Sequence, residues 1–186
     1  MQQLSAGAIS DQVIENLREK ESNQKDWTIK RPNWLQAHLA SHLISSHAEK
    51  TGTMVKRSTK VILQNHYLVA LSLDLQVVGV IGFVNWSNEG MEIVSHLCRD
   101  DFRKIGLGKK LFLSLLEEIE KIQPLSLFLC TTSVEYYQKL GFTLVDPKKY
   151  TAKLRHDCLR CKNGPQGPGF APCPEYAMEY PPKFYR

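Results

Sequence analysis

The stretch MEIVSHLCRDDFRKIGLGKKL, Met91 to Leu111, decides how this chain folds. MEIVSHLC reads as a strand, RDDF as a short bridge, and the residues after Gly106-x-Gly108 as a helix. From there Leu107, Leu111, Leu115 and Ile119 recur every fourth residue, with Phe112 and Leu116 beside them, which is one buried helical stripe. The junction is crowded with Arg103, Lys104, Lys109 and Lys110. A helix N-terminus already carries partial positive charge, so cations there cost about 0.3–1 kcal/mol each. A bound phosphate would reverse that balance. Gly106 and Gly108 let an anion approach the backbone, the helix amides point at it, and the cations match its charge. The plainer reading is a tight turn with a solvated basic helix end.

Working outward, two turns precede this junction. HYLVALSL places Tyr67, Val69, Leu71 and Leu73 on one face of a strand. QVVGVIGFVNW is apolar on both faces, as a central strand is. A turn near Asp74 joins them, and Asn88-Glu89-Gly90 turns into MEIVSHLC. Downstream, Pro124 stops the helix of Gly106 to Gln123 and LSLFL forms a core strand. SVEYYQKL is a short helix ended by Gly141, and FTLV is a further strand. Upstream, residues 10–25 read as a short helix fading into a linker, and Trp27-Thr28-Ile29 as a short strand. Pro32 starts a helix that Gly52 ends, and a second helix runs from about Ser58 to Gln64. The order β-β-β-α-β-α-β, preceded by helices, predicts an α/β fold with helices packed on a mixed sheet.

Length and composition bound the rest. At 186 residues the chain suits one domain with a substantial core. It is 42% hydrophobic and 23% charged, an ordinary globular composition. A net charge of +5 suits an anionic ligand and is too small and dispersed for nucleic acid. The start, MQQLSAGAISDQ, lacks the order of a signal peptide, and the most apolar region is broken by Asp74 and Gln76, so neither targeting nor a membrane span is expected. Five cysteines, an odd number, fit reduced thiols and a cytoplasmic protein. A dinucleotide fold is excluded by the missing third glycine and the meander before the loop, and a P-loop by the missing Gly-Lys-Ser/Thr.

Arg103-Lys104-Ile105-Gly106-Leu107-Gly108 resembles the Arg/Gln-x-x-Gly-x-Gly/Ala signature of the GNAT acyltransferase superfamily. YYQKLGF, Tyr136 to Phe142, is similar to that family's later Tyr-x-x-x-Gly-Phe motif. The two motifs and the element order agree over roughly residues 50–146. The resemblance implies a GNAT-type, mostly antiparallel central sheet flanked by helices, and acetyl-coenzyme A (acetyl-CoA) as co-substrate. Its pyrophosphate would lie on the loop from Arg103 to Lys109, through Lys104, Ile105, Gly106, Leu107 and Gly108. Backbone amides near Leu97 and Cys98 would pair with the pantetheine arm or polarise the thioester carbonyl. Three segments, MVKRS (Met54–Ser58), MEIVSHLCRDDFR and LFLCTTSVEYYQKLGFTLVD, resemble the acetyltransferase domain of bacterial N-acetylglutamate synthases. No amino-acid-kinase domain is expected ahead of them.

Acetyl transfer to an amine needs a neutral amine, a polarised thioester and a proton for the leaving thiolate. Glu92 matches the position of a family glutamate that acts as base. By strand alternation it shares a face with Val94, His96 and Cys98, which leaves a surface strand glutamate as the bland reading. His96 is an alternative base. Tyr137, four residues before Gly141, matches the tyrosine that protonates the coenzyme A (CoA) thiolate, although a core aromatic would fit either Tyr136 or Tyr137. Arg57 in MVKRS is the expected ligand for an acceptor carboxylate, with Lys56 its neighbour.

Cys158 and Cys161 at CxxC spacing, with Cys173 and His156, could furnish a zinc site, but packed free thiols are the favoured reading and no metal is assigned. We thus expect an N-terminal helical or linker segment (1–26), a GNAT domain (27–150) and a cysteine-containing extension (151–186) ending in a strand, EYAMEY. The expected activity is N-acetylation of a small primary amine, with an amino acid such as glutamate favoured. A polyamine, an antibiotic or a protein amine is the rival acceptor. A non-catalytic acyl-CoA sensor and a zinc-stabilised interaction module are rivals of other classes. A homodimer is compatible with the family, and no membrane partner is expected.

Overall fold

A computed structural model describes residues 27–86, 89–159, 161 and 173–181. The helix expected over residues 10–25 and most of the glycine- and proline-rich loop lie outside them. Strand β1 (Thr28–Lys30) leads through Asn33, whose side chain caps helix α1 (Trp34–Thr51) in a reciprocal capping box with Gln36. Pro32 therefore sits one residue before the cap. Gly52, at φ 71°, closes α1 in the left-handed conformation that glycine tolerates best. Ser58 caps the short α2 (Thr59–Gln64).

The meander follows as expected: β2 (His66–Leu71), β3 (Val77–Asn85) and β4 (Met91–Cys98). Every residue of β3 from Val77 to Phe83 is buried or is a glycine packed under a neighbour, so the strand is central. Leu73 falls in the turn and stays exposed instead of extending the buried face of β2. Helix α3 (Leu107–Glu120) buries all six residues of the predicted stripe, and the chain continues through β5 (Leu127–Thr131), α4 (Val134–Lys139) and β6 (Thr143–Leu144). A short helix α5 (Thr151–Lys153) runs directly into a π turn (Leu154–Cys158), and β7 (Tyr176–Tyr180) completes the sheet.

The seven strands lie in the order β1-β2-β3-β4-β5-β7-β6, with β4 and β5 parallel and all other neighbours antiparallel. Helices α1 and α2 cover one face through Ala37, Ala40, Ile44 and Ile62 against Tyr67, Val69, Val80 and Val94. Helix α3 covers the other, its leucines against Leu68, Ala70, Ile81 and Ile93. The architecture is thus the mixed, mostly antiparallel sheet between helices that the sequence predicts.

Two irregularities create the site. First, β4 and β5 pair only at Met91↔Leu127 and Glu92↔Phe128, so beyond Glu92 their edges part and leave a wedge. Second, the β3–β4 register shifts between Val80 and Gly82, and Ser95 at φ 55° takes up the extra residue as a bulge. The bulge overturns simple alternation along β4. Val94 and Leu97 both face α1, while His96 turns toward Phe112 and Tyr137 on the α3 side. Glu92 therefore does not share a face with His96 and Cys98.

Candidate active site

A cavity of about 720 Å³ fills the wedge. It is walled by β4 from Glu92 to Cys98, the end of β5, the loop before α3, the Met54–Arg57 region and the two tyrosines of α4. Lys104 (φ 62°) and Gly106 (φ 89°) are both left-handed, the kind of backbone that can gather amides around an anion, and Gly106 caps α3 with no side-chain hydrogen bond. No acidic residue occupies the first turn of α3, so its amides are available to an anion. Arg103 reaches the Cys98 carbonyl at 3.4 Å and pairs with Asp100 at 3.0 Å.

Gly108 serves a different purpose from Gly106. A Cβ there would lie 3.4 Å from His96 Nε2, 3.4 Å from Tyr136 Oη and 3.6 Å from Cys98 Sγ. The missing side chain makes room for these three groups at the start of α3. Of the two β4 amides singled out, Cys98's faces the wedge. Arg99 donates to Val78, so by antiparallel alternation the Leu97 amide lies in the β3 ladder and the Cys98 amide points away from it. Burial pushes the Cys98 thiol up to about 11, which keeps it protonated and inert at neutral pH.

On the Glu92 side the cavity wall is ionic. Glu92 is only 2% exposed, not a surface residue. It accepts from Trp86 Nε1 at 2.8 Å and pairs with Lys153 Nζ at 2.7 Å. Lys153 also holds Asp157 at 3.0 Å, and Asp157 reaches Arg57 at 3.5 Å and His156 at 2.8 Å. Burial disfavours the Lys153 charge, yet the carboxylates of Glu92 and Asp157 outweigh it and raise its pKa. Burial likewise raises the Asp157 carboxyl, and Lys153 with His156 more than reverses this, leaving it below its ordinary value. Arg57 is half-buried, already in one ion pair, and its Nε has no hydrogen-bond partner among the described residues. Lys56 instead points outward to Glu49. Glu175, just before β7, also lines the cavity, and burial pushes its carboxyl up to about 7.

Lys153, Asp157 and Glu175 were not visible as site residues in the sequence. All three come from the segment beyond residue 150, where an i,i+4 Lys–Asp pair and a pre-strand glutamate look like ordinary surface residues. Tyr137, by contrast, lies where its motif places it, 7% exposed, with Oη 2.8 Å from His96 Nδ1. His96 is not a free base: burial lowers its pKa to about 4 and both ring nitrogens are engaged. Among the described residues no group of three metal-ligating side chains exists, and all five cysteines are free thiols.

Residues 41–162 match the family model of the acetyltransferase (GNAT) domain. An uncharacterized N-acetyltransferase of Chlorobaculum tepidum is 23% identical over 155 residues, 82% of this chain and 95% of that protein. Among solved structures, N-acetylglutamate synthase from Neisseria gonorrhoeae, complexed with CoA and N-acetyl-glutamate, superposes with a TM-score of 0.68 at 13% identity. That match covers 85% of this chain but 35% of the gonococcal one, so the chain spans about a third of that enzyme's length. Rv2747 from Mycobacterium tuberculosis, in complex with CoA and NLQ, gives 0.64 at 17% identity over 82% of this chain and 98% of its own. No described helix is long and apolar enough to cross a membrane. With the basic loop, the splayed strands and the match over most of its length, the chain belongs to the GNAT acetyltransferase family.

Proposed function

We propose that the chain acetylates the α-amino group of a small amino acid, with glutamate the favoured acceptor. The observation that carries this is Arg57: a half-buried guanidinium on the cavity wall whose Nε–H is unclaimed among the described residues. A buried donor without a partner costs about 1–3 kcal/mol; the Arg57 Nε is closed to solvent as the side chain stands, so an acceptor carboxylate would remove that cost by turning the guanidinium away from its 3.5 Å contact with Asp157. The gonococcal synthase, solved with N-acetyl-glutamate, supports the choice of acceptor by its fold.

In this reading the amides of the loop Arg103–Lys109, with the side chains of Arg103 and Lys104, hold the pyrophosphate, and the Cys98 amide polarises the thioester carbonyl. Glu92 draws a proton from the amine; its two oxygens each hold one partner and each keep a lone pair free for a water or the amine. The adjacent tyrosines of α4, with Tyr137 in the family register, supply the proton that the sulfur takes up. The free thiols support a reducing, cytoplasmic setting.

A second reading has its own observation. Glu92 and Glu175 line this end of the cavity with Asp157 behind Lys153, so once Glu175 ionises, above about pH 7, three carboxylates face Arg57 and Lys153, a balance that suits a polyamine better than a di-acid. Release of CoA thiol from acetyl-CoA, measured against amino acids and polyamines, separates the two. Turnover on glutamate with a KM raised at least tenfold in Arg57→Ala, the loss of about 1.4 kcal/mol of binding, supports the first. Turnover confined to amines without a carboxylate removes Arg57 from the acceptor site and leaves the polyamine reading.

A further inference from the structure

The two tyrosines at the cavity differ in what their hydroxyls are committed to. His96 Nε2 lies 2.8 Å from the Gly108 carbonyl oxygen, which can only accept, so Nε2 carries the ring hydrogen. Burial keeps the ring neutral, with a pKa near 4, so it carries just that one hydrogen at neutral pH. Nδ1 is then a bare lone pair, and at 2.8 Å it must receive the hydrogen of Tyr137 Oη. The Tyr137 proton points into the protein, toward a base too weak to keep it.

Tyr136 is the opposite case. It is 37% exposed, and its Oη stands beside the α-carbon of Gly108 at the mouth of the basic loop. No hydrogen bond from the described residues claims its O–H. Its ring is held edge-on by Tyr137, with centroids 5.0 Å apart at 82°, and His96 lies behind both at 5.9 Å. Burial raises both phenols above their ordinary range, so each remains a proton donor at neutral pH.

We infer that Tyr136, rather than its motif neighbour Tyr137, is the catalytic acid for the leaving sulfur, and that Tyr137 and His96 are positioning residues that hold its ring. The inference rests on the acetyl-CoA reading of the site. As the amine nitrogen bonds to the acetyl carbon, the carbon–sulfur bond breaks and the sulfur keeps the electron pair. Tyr136 Oη gives its proton to that sulfur and is reprotonated from solvent. The proton shed by the amine nitrogen leaves by way of Glu92, so the exchange is balanced.

The test compares Tyr136→Phe and Tyr137→Phe in the full chain. Calorimetric titration with CoA and with desulfo-CoA, which lacks the sulfur, reads the hydroxyl–sulfur contact without turnover. Wild type should prefer CoA. Tyr136→Phe should erase the preference and lower kcat about 100-fold or more, the usual worth of a general acid, with little change in melting temperature. Tyr137→Phe should keep the preference while melting lower, since it strips His96 of a buried partner. A preference that survives in Tyr136→Phe overturns the assignment, whether or not Tyr137→Phe folds. Equal wild-type affinity for both ligands overturns the assignment alone, and failure to bind either overturns the coenzyme reading with it.

Discussion

His96 shows how much one residue can decide. Its folded pKa, near 4, lies below the unfolded value of about 6.5. Above pH 6.5 neither state binds the proton and the ring has no effect on stability. As pH falls from about 6.5 toward 4, the unfolded chain takes up a proton that the folded chain refuses, so stability drops by at most ~1.4 kcal/mol per pH unit. Urea melts across this range should show a shallower acid-side decline in His96→Leu, even though that variant is less stable at pH 7. Lys153 is the second such residue. Its removal leaves Glu92 and Asp157, 3% and 6% exposed at their side chains, without their shared counter-ion. Lys153→Ala should lose roughly 3–5 kcal/mol in the same melts, and Lys153→Arg much less. The sequence pointed to the tyrosines through a motif of fixed spacing, and to Glu92 and Arg57 through resemblance to family segments. It could not name Lys153 or Asp157, because a buried lysine is recognisable only by the carboxylates that the fold brings to it.

At the level of elements, the periodic segments were the most legible: α3, with its four-residue repeat, and β3, apolar on both faces. The β4 bulge was not. A one-residue register shift leaves no mark on composition, so alternation put Glu92 and His96 on one face when the folded strand turns them apart. The loop before α3 was legible in its glycines and cations but not in the left-handed Lys104. Gly106→Ala forces a Cβ into φ 89° and should cost about 1–2 kcal/mol while weakening CoA binding. Lys104→Gly is the informative partner: it relieves the same kind of strain, so the melting temperature should hold or rise while CoA affinity falls with the lost charge. Differential scanning fluorimetry with and without CoA reads both effects.

For the molecule as a whole, the C-terminal stretch that looked like an extension supplies a central strand. Strand β7 pairs with β5 over five residues on one side and with β6 on the other, and Met178 is fully buried. A chain ended at residue 160 should therefore fail to give a cooperative melt, a result that circular dichroism would show directly. The fold class and layer order were readable from element order. The place of β7 was not, because two strands adjacent in sequence, β5 and β6, are separated in space by one that comes more than thirty residues later.

That placement also sets an order of events during synthesis. The meander, α1 and α3 can assemble as soon as residue 120 has emerged, since their contacts are mutual. Strand β5 then has only a two-residue pairing with β4, and β6 has no sheet partner among the described residues until β7 arrives. The nascent chain must carry the open hydrogen-bonding edge of β5 for the time it takes to make some fifty further residues, roughly 3–10 s at ordinary elongation rates. Chaperone dependence and aggregation on slow translation would concentrate in that interval, and the wedge between β4 and β5 would be the last part of the protein to take shape.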